Sequence, residues 1–437
     1  KDLYDADTAV YIGTWEVKCP HCGKWTPLVG NWWLARVSKG GSEEEEEEEE
    51  TGGGKKEYSR LAWMEPVRSN DKVGIRIVDL NKELGRQSIS ASVNSRQGTV
   101  KVGDKEYRVP QKNIDAKRNT ATCLYCNNQI RKGESDWYVK EALRDWNKKL
   151  EDYITGQIDL SKLLNEAKAR PRLLAKVKVS GKNLEFEPTT DTDNQKLWYA
   201  LEKLRQIWGD PDIPTELLPF YDNEFARTHL WGFDKFYKLF NPRQLLTLVK
   251  LVKLIREVGK KVVEEKLKEG WSKEEAHKYA EAITTYLAIA LARYTDYNCV
   301  FTIWNYGGQL PAQVAHALSM RGIAMSWNWG DVSPFAIMSG TGTLKMNLDK
   351  IIKNVLPYLI SAVSGSPSNV RVILKDATTL SKLDDEKFDA IITDPPYRND
   401  VAYAELSDFY YVWLKRALSD VQDIGGIQVR QPRFIPE

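Results

Sequence analysis

The sequence predicts an α/β protein in three parts: a β-rich module over residues 1–140, a helical region over 141–330, and an incomplete portion of a Rossmann-like, doubly wound sheet over 331–437. Three observations lead there. Two cysteine pairs, Cys19-Pro20-His21-Cys22 and Cys123-Leu124-Tyr125-Cys126, bracket segments that alternate and β-branch as strands do. From Pro242 to Arg293 apolar residues recur at helical spacing. Near the C-terminus the apolar run Phe388-Asp389-Ala390-Ile391-Ile392-Thr393 opens into Asp394-Pro395-Pro396-Tyr397. A buried parallel strand reads as such a run, and two prolines end it abruptly. At 437 residues the chain is too long for one ordinary domain, and two or three are expected.

In the N-terminal part, each C-x2-C turn presents two thiolates to one tetrahedral ion. Cys19, Cys22, Cys123 and Cys126 are therefore expected to hold one structural zinc. The interval from Cys22 to Cys123 exceeds the usual ribbon spacing, as an enlarged or interrupted zinc ribbon requires. Redox disulfides are the alternative, disfavoured for an intracellular protein. His21 sits inside a knuckle and is not expected to ligate; Cys299 reads as a buried apolar residue. Trp15, Trp25, Trp32, Trp33 and Trp63 crowd the first knuckle and are expected to form the core of a small module rather than a stacking platform for bases. Gln97 to Val109 reads as a hairpin turning at Gly103-Asp104.

Glu43 to Glu50 is an unbroken run of eight acidic residues between glycines. It repels itself and has nothing to bury, so residues 43–54 are expected to be a disordered loop. Deleting Glu43–Glu50 is expected to leave the melting temperature nearly unchanged. A thermal scan in which the deletion unfolds the module would show an ordered acidic partner instead. The net charge is +2, and without this run the body is moderately basic, compatible either with nucleic acid or with a solvated charged surface.

In the middle region, Asn241 caps a helix with Pro242 in its first turn, and the amphipathic stretch Leu245 to Leu267 follows, with Lys250, Lys253, Lys260, Lys261 and Lys266 on its polar side. Ser272 and Glu275 form a capping box for a second helix reaching about Arg293. Ile207 to Pro214 and Trp327-Asn328-Trp329-Gly330-Asp331 read as loops. Met346 to Ala362 reads as a helix interrupted near Pro357, leading to a strand at Val370-Arg371-Val372-Ile373-Leu374 that ends in Lys375-Asp376-Ala377. Beyond Tyr397, the stretch Tyr403 to Arg416 places Leu406, Tyr410, Trp413 and Leu414 on one helical face, expected to pack on the sheet.

Open α/β sheets place ligands at the carboxyl ends of their strands. There Asp394 can accept a hydrogen bond from an exocyclic NH2, the Pro395 carbonyl can accept the second, and Tyr397 offers a flat face to a planar base. An ordinary Asp-Pro turn is the alternative. The pattern looks like the catalytic signature of amino-group methyltransferases that use S-adenosylmethionine, in its adenine-N6 form. The block Asp394 to Arg416, with Phe240-Asn241-Pro242-Arg243-Gln244-Leu245-Leu246 and Tyr286 to Asn298, resembles a family of archaeal and bacterial adenine-specific DNA methylases. Those proteins carry an internal zinc ribbon and, at their N-terminus, a domain of unknown function; the resemblance implies the ribbon here and leaves that N-terminal domain outside residues 1–437.

The resemblance implies methyl transfer from S-adenosylmethionine to adenine N6 in DNA by a Rossmann-like methyltransferase, with Asp394, Pro395, Pro396 and Tyr397 as the catalytic loop. It places Asp376 at the cofactor's adenine, although a solvated loop aspartate reads equally well there. The ribbon and helical insertion become the DNA contacts. In that family the glycine-rich cofactor loop precedes the ribbon, so it is expected upstream of Lys1 or on a second chain.

Within this chain the nearest glycine loop is Ser339-Gly340-Thr341-Gly342-Thr343, after a strand-like Phe335 to Met338. Too little chain follows it before Asp376 for a second strand and its crossover. Two rivals stay open: an RNA amino-group methyltransferase, and a catalytically silent, zinc-stabilised nucleic-acid-binding subunit completed by another chain. No apolar run approaches membrane-spanning length and no signal peptide is visible, so a cytoplasmic protein without membrane contact is expected. The first residue is Lys1 rather than Met, as in a segment of a longer product.

Overall fold

The computed structural model describes residues 3–39, 54–69, 72–181, 183–218, 227–307, 312–320, 322–338, 342–364, 376, 387–395, 401, 403–424 and 427–432. Among these residues the protein is a mixed α/β fold in which every strand pairing is antiparallel. The expected acidic loop, residues 43–53 of it, and the expected strand Val370–Leu374 lie outside them.

The organising strand is β1 (Thr8–Lys18), buried along nearly its whole length. It pairs with β12 (Ala169–Ser180) on one side, and on the other with β16 (Trp329–Val332) and β2 (Trp25–Pro27); β13 (Asn183–Pro188) extends the sheet beyond β12. Gly13 faces Trp329 across the ladder, where a Cβ would lie 2.1 Å from the indole, so only glycine lets the ring cross the strand.

A second sheet orders β3 (Trp33–Ser38), β4 (Lys56–Arg68), β6 (Ile89–Asn94), β7 (Thr99–Val102) and β8 (Lys105–Arg108), with β5 (Val73–Asp79) also on β4 and a short helix α1 (Leu80–Leu84) behind it. The β7–β8 hairpin turns at Gly103-Asp104 as expected, with Gly103 at φ +60°. Trp15, Trp32, Trp33 and Trp63 are buried in the hydrophobic core. Trp33 and Trp63 meet edge to face at 5.5 Å, so these indoles build the module.

Two helices, α2 (Tyr138–Ile154) and α3 (Leu160–Glu166), precede β12, and α4 (Asp191–Gln206) follows β13. The expected helical middle therefore also contributes two strands to the sheet of β1. Helix α5 (Pro242–Lys268) starts as expected: the Asn241 side chain accepts from the Arg243 and Gln244 amides while Gln244 reaches back to the Asn241 amide. Ser272 and Glu275 box the start of α6 (Lys273–Asp296) in the same way. Among the described residues, no helix is long and apolar enough to cross a membrane.

Beyond α6 lie the short pair β14 (Ile303–Asn305) and β15 (Gln313–Ala315). Trp329 to Asp331, expected as loop, is part of β16. A four-residue strand has no periodicity of its own, and its hydrogen bonds come from β1 at the far end of the sequence. Phe335 to Met338 is irregular rather than a strand.

The interrupted helix is present as α7 (Leu344–Lys350), a π-helical turn over Ile351–Val355, and α8 (Leu356–Ser364). The π turn precedes Pro357, which has no N–H to continue a regular ladder. Helix α9 (Tyr403–Ala417) leads to the pair β17 (Ser419–Ile424) and β18 (Ile427–Pro432). It buries Phe409, Val412, Trp413, Arg416 and Ala417 against α5 and α6; of the expected face, Trp413 is buried and Tyr410 and Leu414 pack half-buried on the core, but among the described residues the support is helical rather than a sheet. One hydrophobic core runs from Ala9 to Leu418 and spans all three expected parts.

A candidate zinc centre and the signature loop

The sequence builds two nearly identical knuckles. In the first, the Cys19 amide donates to the Lys24 carbonyl at 2.9 Å and the Gly23 amide to the Cys19 carbonyl at 2.9 Å. In the second, the Cys123 amide donates to the Asn128 carbonyl at 2.9 Å and the Asn127 amide to the Cys123 carbonyl at 2.9 Å. Gly23 and Asn127 occupy the same left-handed position, at φ +70° and +62°. Glycine and asparagine tolerate that conformation best, which is why each tight turn can close after its second cysteine.

β1 delivers Cys19 to the first knuckle, and β10 (Thr120–Thr122), sandwiched between β9 (Ile114–Asp115) and β11 (Gln129–Ile130), delivers Cys123 to the second. The four Sγ atoms lie within 4.8 Å of one another, with Cys19 to Cys126 at 3.9 Å and Cys22 to Cys123 at 3.8 Å. Four sulfurs about 2.3 Å from one zinc stand about 3.8 Å apart along each edge of the tetrahedron, whereas a disulfide needs about 2.05 Å. The geometry fits a four-thiolate zinc site of the ribbon type.

Burial pushes the Cys19 thiol up to about 12 and raises Cys123 as well. Burial also acts to raise Cys126, but hydrogen bonds from the Asn128 amide and the neighbouring cysteines outweigh it and lower that thiol. Zinc would deprotonate the set and take all four thiolates. His21 instead meets the Gln129 carbonyl through Nε2 at 3.0 Å, consistent with its exclusion from the ligands, and Cys299 is fully buried.

The signature loop is placed differently from the expectation. Lys387 to Pro395 is irregular and exposed, with Ile391 83% and Ile392 95% accessible. Neighbouring residues on a strand point to opposite faces, so a buried parallel strand needs a pairing strand on each edge and a cover on each face. Among the described residues none pairs with this segment. Asp394 and Pro395 are exposed within it, and Asp376 is exposed in irregular backbone; Pro396 and Tyr397 lie outside the described residues.

Of the nearby glycine loop, Ser339, Gly340 and Thr341 lie outside the described residues. Gly342 has φ +60°, and a Cβ there would lie 2.2 Å from the Tyr297 ring. That space is already filled by an aromatic side chain.

The helix after the loop is firmly docked. Phe240 meets Trp413 edge to face at 5.4 Å and stacks with Phe409 at 6.3 Å. Arg416 pairs with Glu216 at 2.7 Å and donates to the Ile213 carbonyl at 3.2 Å. Burial acts to raise the Glu216 carboxyl, but Arg416 outweighs it and holds the group low. At the end of α6, Asp296 accepts from the Tyr410 hydroxyl at 2.8 Å and from the Leu318 amide at 3.1 Å, with His316 Nδ1 at 3.2 Å.

The segments Phe240–Leu246 and Tyr286–Asn298 meet around Asp331, a convergence not read from the sequence. Asp331 and Arg243 are a wholly buried pair at 2.9 Å, and Asp331 also accepts from Asn241 and from the Tyr4 hydroxyl, each at 2.9 Å. The Arg243 guanidinium lies over the Tyr11 ring at 4.0 Å. Gln244 donates to Asn298 at 3.2 Å and to the Gly330 carbonyl at 3.0 Å, and Asn298 accepts from the Val332 amide at 2.8 Å.

These groups fasten α5 and α6 to β16 and β1, which makes them scaffold. Asp331→Ala strands Arg243 in a dry site and is expected to lower stability by about 3–5 kcal/mol. A chemical-denaturation midpoint equal to that of the unaltered protein would remove that role. The only sequence clue was the polar run Asn241-Pro242-Arg243-Gln244 at the start of an otherwise apolar helix. No protein-family model, curated protein or solved structure matches the chain.

Proposed function

We propose that this protein is the zinc-stabilised, target-binding part of a methyltransferase of Rossmann-like architecture that acts on the N6 amino group of adenine in DNA with S-adenosylmethionine as donor. The observation that carries the reading is Asp394-Pro395-Pro396-Tyr397 directly behind an apolar run and directly ahead of an aromatic helix. S-adenosylmethionine would supply the electrophilic methyl group. Most of the glycine loop and the chain on either side of Asp376 lie outside the described residues, so the role derived for this chain concerns the base.

The target adenine must leave its stack to be reached. The Asp394 carboxylate accepts one N6–H and the Pro395 carbonyl the other, which holds the amino group still and raises electron density on nitrogen. Tyr397 stacks on the ring, and Pro396 keeps the loop short and stiff. Direct attack by nitrogen needs no covalent enzyme intermediate, so positioning dominates. Asp376 is assigned to the cofactor's adenine on the same reading.

Transfer of labelled methyl groups to duplex DNA, compared with tRNA and rRNA, tests this reading, using the chain alone and the assembly isolated with it. Incorporation into RNA alone would move the substrate class, and no incorporation into any of the three would defeat the reading. A second reading is favoured by the Phe388–Thr393 segment, exposed and without a pairing strand among the described residues: a catalytically silent nucleic-acid-binding subunit completed by another chain. It requires DNA binding with no S-adenosylmethionine binding in calorimetry, by the chain or by its assembly.

A further inference from the structure

We propose that the groove between the C-terminal end of α6 and helix α7 binds the phosphodiester backbone of a nucleic-acid strand. The groove has a volume of about 420 Å3 and opens to solvent. Three cations line it: Arg293 from α6, Lys350 from α7, and Lys353 from the π turn. Against them stands one carboxylate, Asp349, which is 3.7 Å from Lys353. Arg293 and Lys350 have no carboxylate within ion-pair distance among the described residues. The Arg293 guanidinium lies over the Tyr297 ring at 5.7 Å, which limits its freedom while leaving its N–H groups for an anion.

A second open groove, of about 720 Å3, is lined by Lys39, Arg60, Lys82 and Arg86, but two of those cations are already matched: Arg60 by Asp79 at 2.5 Å and Lys82 by Glu185 at 3.3 Å. Each groove is thus left with two cations that have no carboxylate partner among the described residues, and the smaller groove gathers its two, with Lys353 beside them, around the lesser volume. An array of fixed cations on an open surface suits a polyanion, and phosphate contacts of this kind set position without reading sequence. The placement also fits. Tyr297, which lines the groove, follows Asp296, and Asp296 holds Tyr410 of α9 at 2.8 Å. The helix that follows the signature loop is thus fastened at the end of α6 that walls the groove. The inference shares with the proposed function only its nucleic-acid partner and does not depend on methyl transfer.

The test is fluorescence anisotropy with fluorescein-labelled 20-nucleotide probes as duplex DNA, single-stranded DNA and single-stranded RNA, without cofactor, over a salt series. Arg293, Lys350 and Lys353 are all exposed, so the R293A/K350A/K353A protein is expected to keep its melting temperature. Its affinity for at least one probe should fall tenfold or more, and the slope of log affinity against log salt should become shallower by about 2 on single strands and about 3 on duplex DNA, as losing three phosphate contacts requires. The matched control K260A/K261A/K268A, on the exposed far half of α5, should bind as the unaltered protein does. R293K should recover part of the loss.

The probe that responds identifies the source of the phosphodiester. An unchanged affinity and slope in the triple variant, or an equal loss in the control, would overturn the proposal. Because binding is measured without methyl transfer, a failed methylation assay leaves this result untouched, and the reverse also holds.

Discussion

Asp394→Ala is expected to abolish methyl transfer, by at least about 10²–10³-fold, the loss seen when one preorganised electrostatic contact is removed. The carboxylate acts on the target amino group chiefly as the transition state forms, so cofactor affinity should stay within a few-fold. Asp394 is solvent-exposed, and its truncation should change stability by no more than about 0.5 kcal/mol, which separates a catalytic loss from a folding one. Tyr397→Ala should weaken rate and base capture by roughly the 1–3 kcal/mol of a stacked base, and Tyr397→Phe should be mild because the ring face makes the contact. Asp376→Ala should reverse the pattern, with cofactor binding hurt first. Full methyl transfer by the Asp394→Ala protein in its active assembly would reduce Asp-Pro-Pro-Tyr to an ordinary turn.

Zinc removal is the second large effect. Purified protein should carry about one zinc per chain, and Cys22→Ser or a strong chelator should release it. A structural zinc is worth about 10–16 kcal/mol to a folded knuckle pair, as much as or more than the 5–15 kcal/mol that holds a typical domain together. The sequence suggests that such a loss would stay within the N-terminal module. The tertiary structure extends it, because Cys19 directly follows β1, and β1 is the strand on which β12 and β16 hang. The Tyr138 hydroxyl also donates to the Lys18 carbonyl at 2.7 Å, tying α2 to the base of the same knuckle. Circular dichroism on zinc removal should therefore report a loss reaching beyond residue 140. Metal analysis finding no zinc, with Cys22→Ser as stable as the unaltered protein, would remove the ribbon from this account.

What the sequence determined by itself was local chemistry. The knuckles were legible because C-x2-C spacing and the residue that follows it carry their own geometry, and Cys22 and Cys123 stand 3.8 Å apart across 101 residues, the arrangement that four donors to one tetrahedral ion would need. The starts of α5 and α6 were legible because Asn241, Gln244, Ser272 and Glu275 satisfy amides only three residues away. The hairpin at Gly103 and the break before Pro357 were local for the same reason.

The tertiary structure alone decided everything that depends on a distant partner. β16 is a strand only because β1 lies beside it, and α9 turns Phe409 inward because α5 and α6, not a sheet, support it. Asp331 and Arg243 neutralise each other across 88 residues of sequence, and Arg293 and Lys350 share a groove although nothing in their spacing announces it. Phe388–Thr393 shows the same rule from the other side. Its pattern specifies a strand, but a strand exists only where another chain segment takes its hydrogen bonds and covers its faces, and composition cannot supply that neighbour.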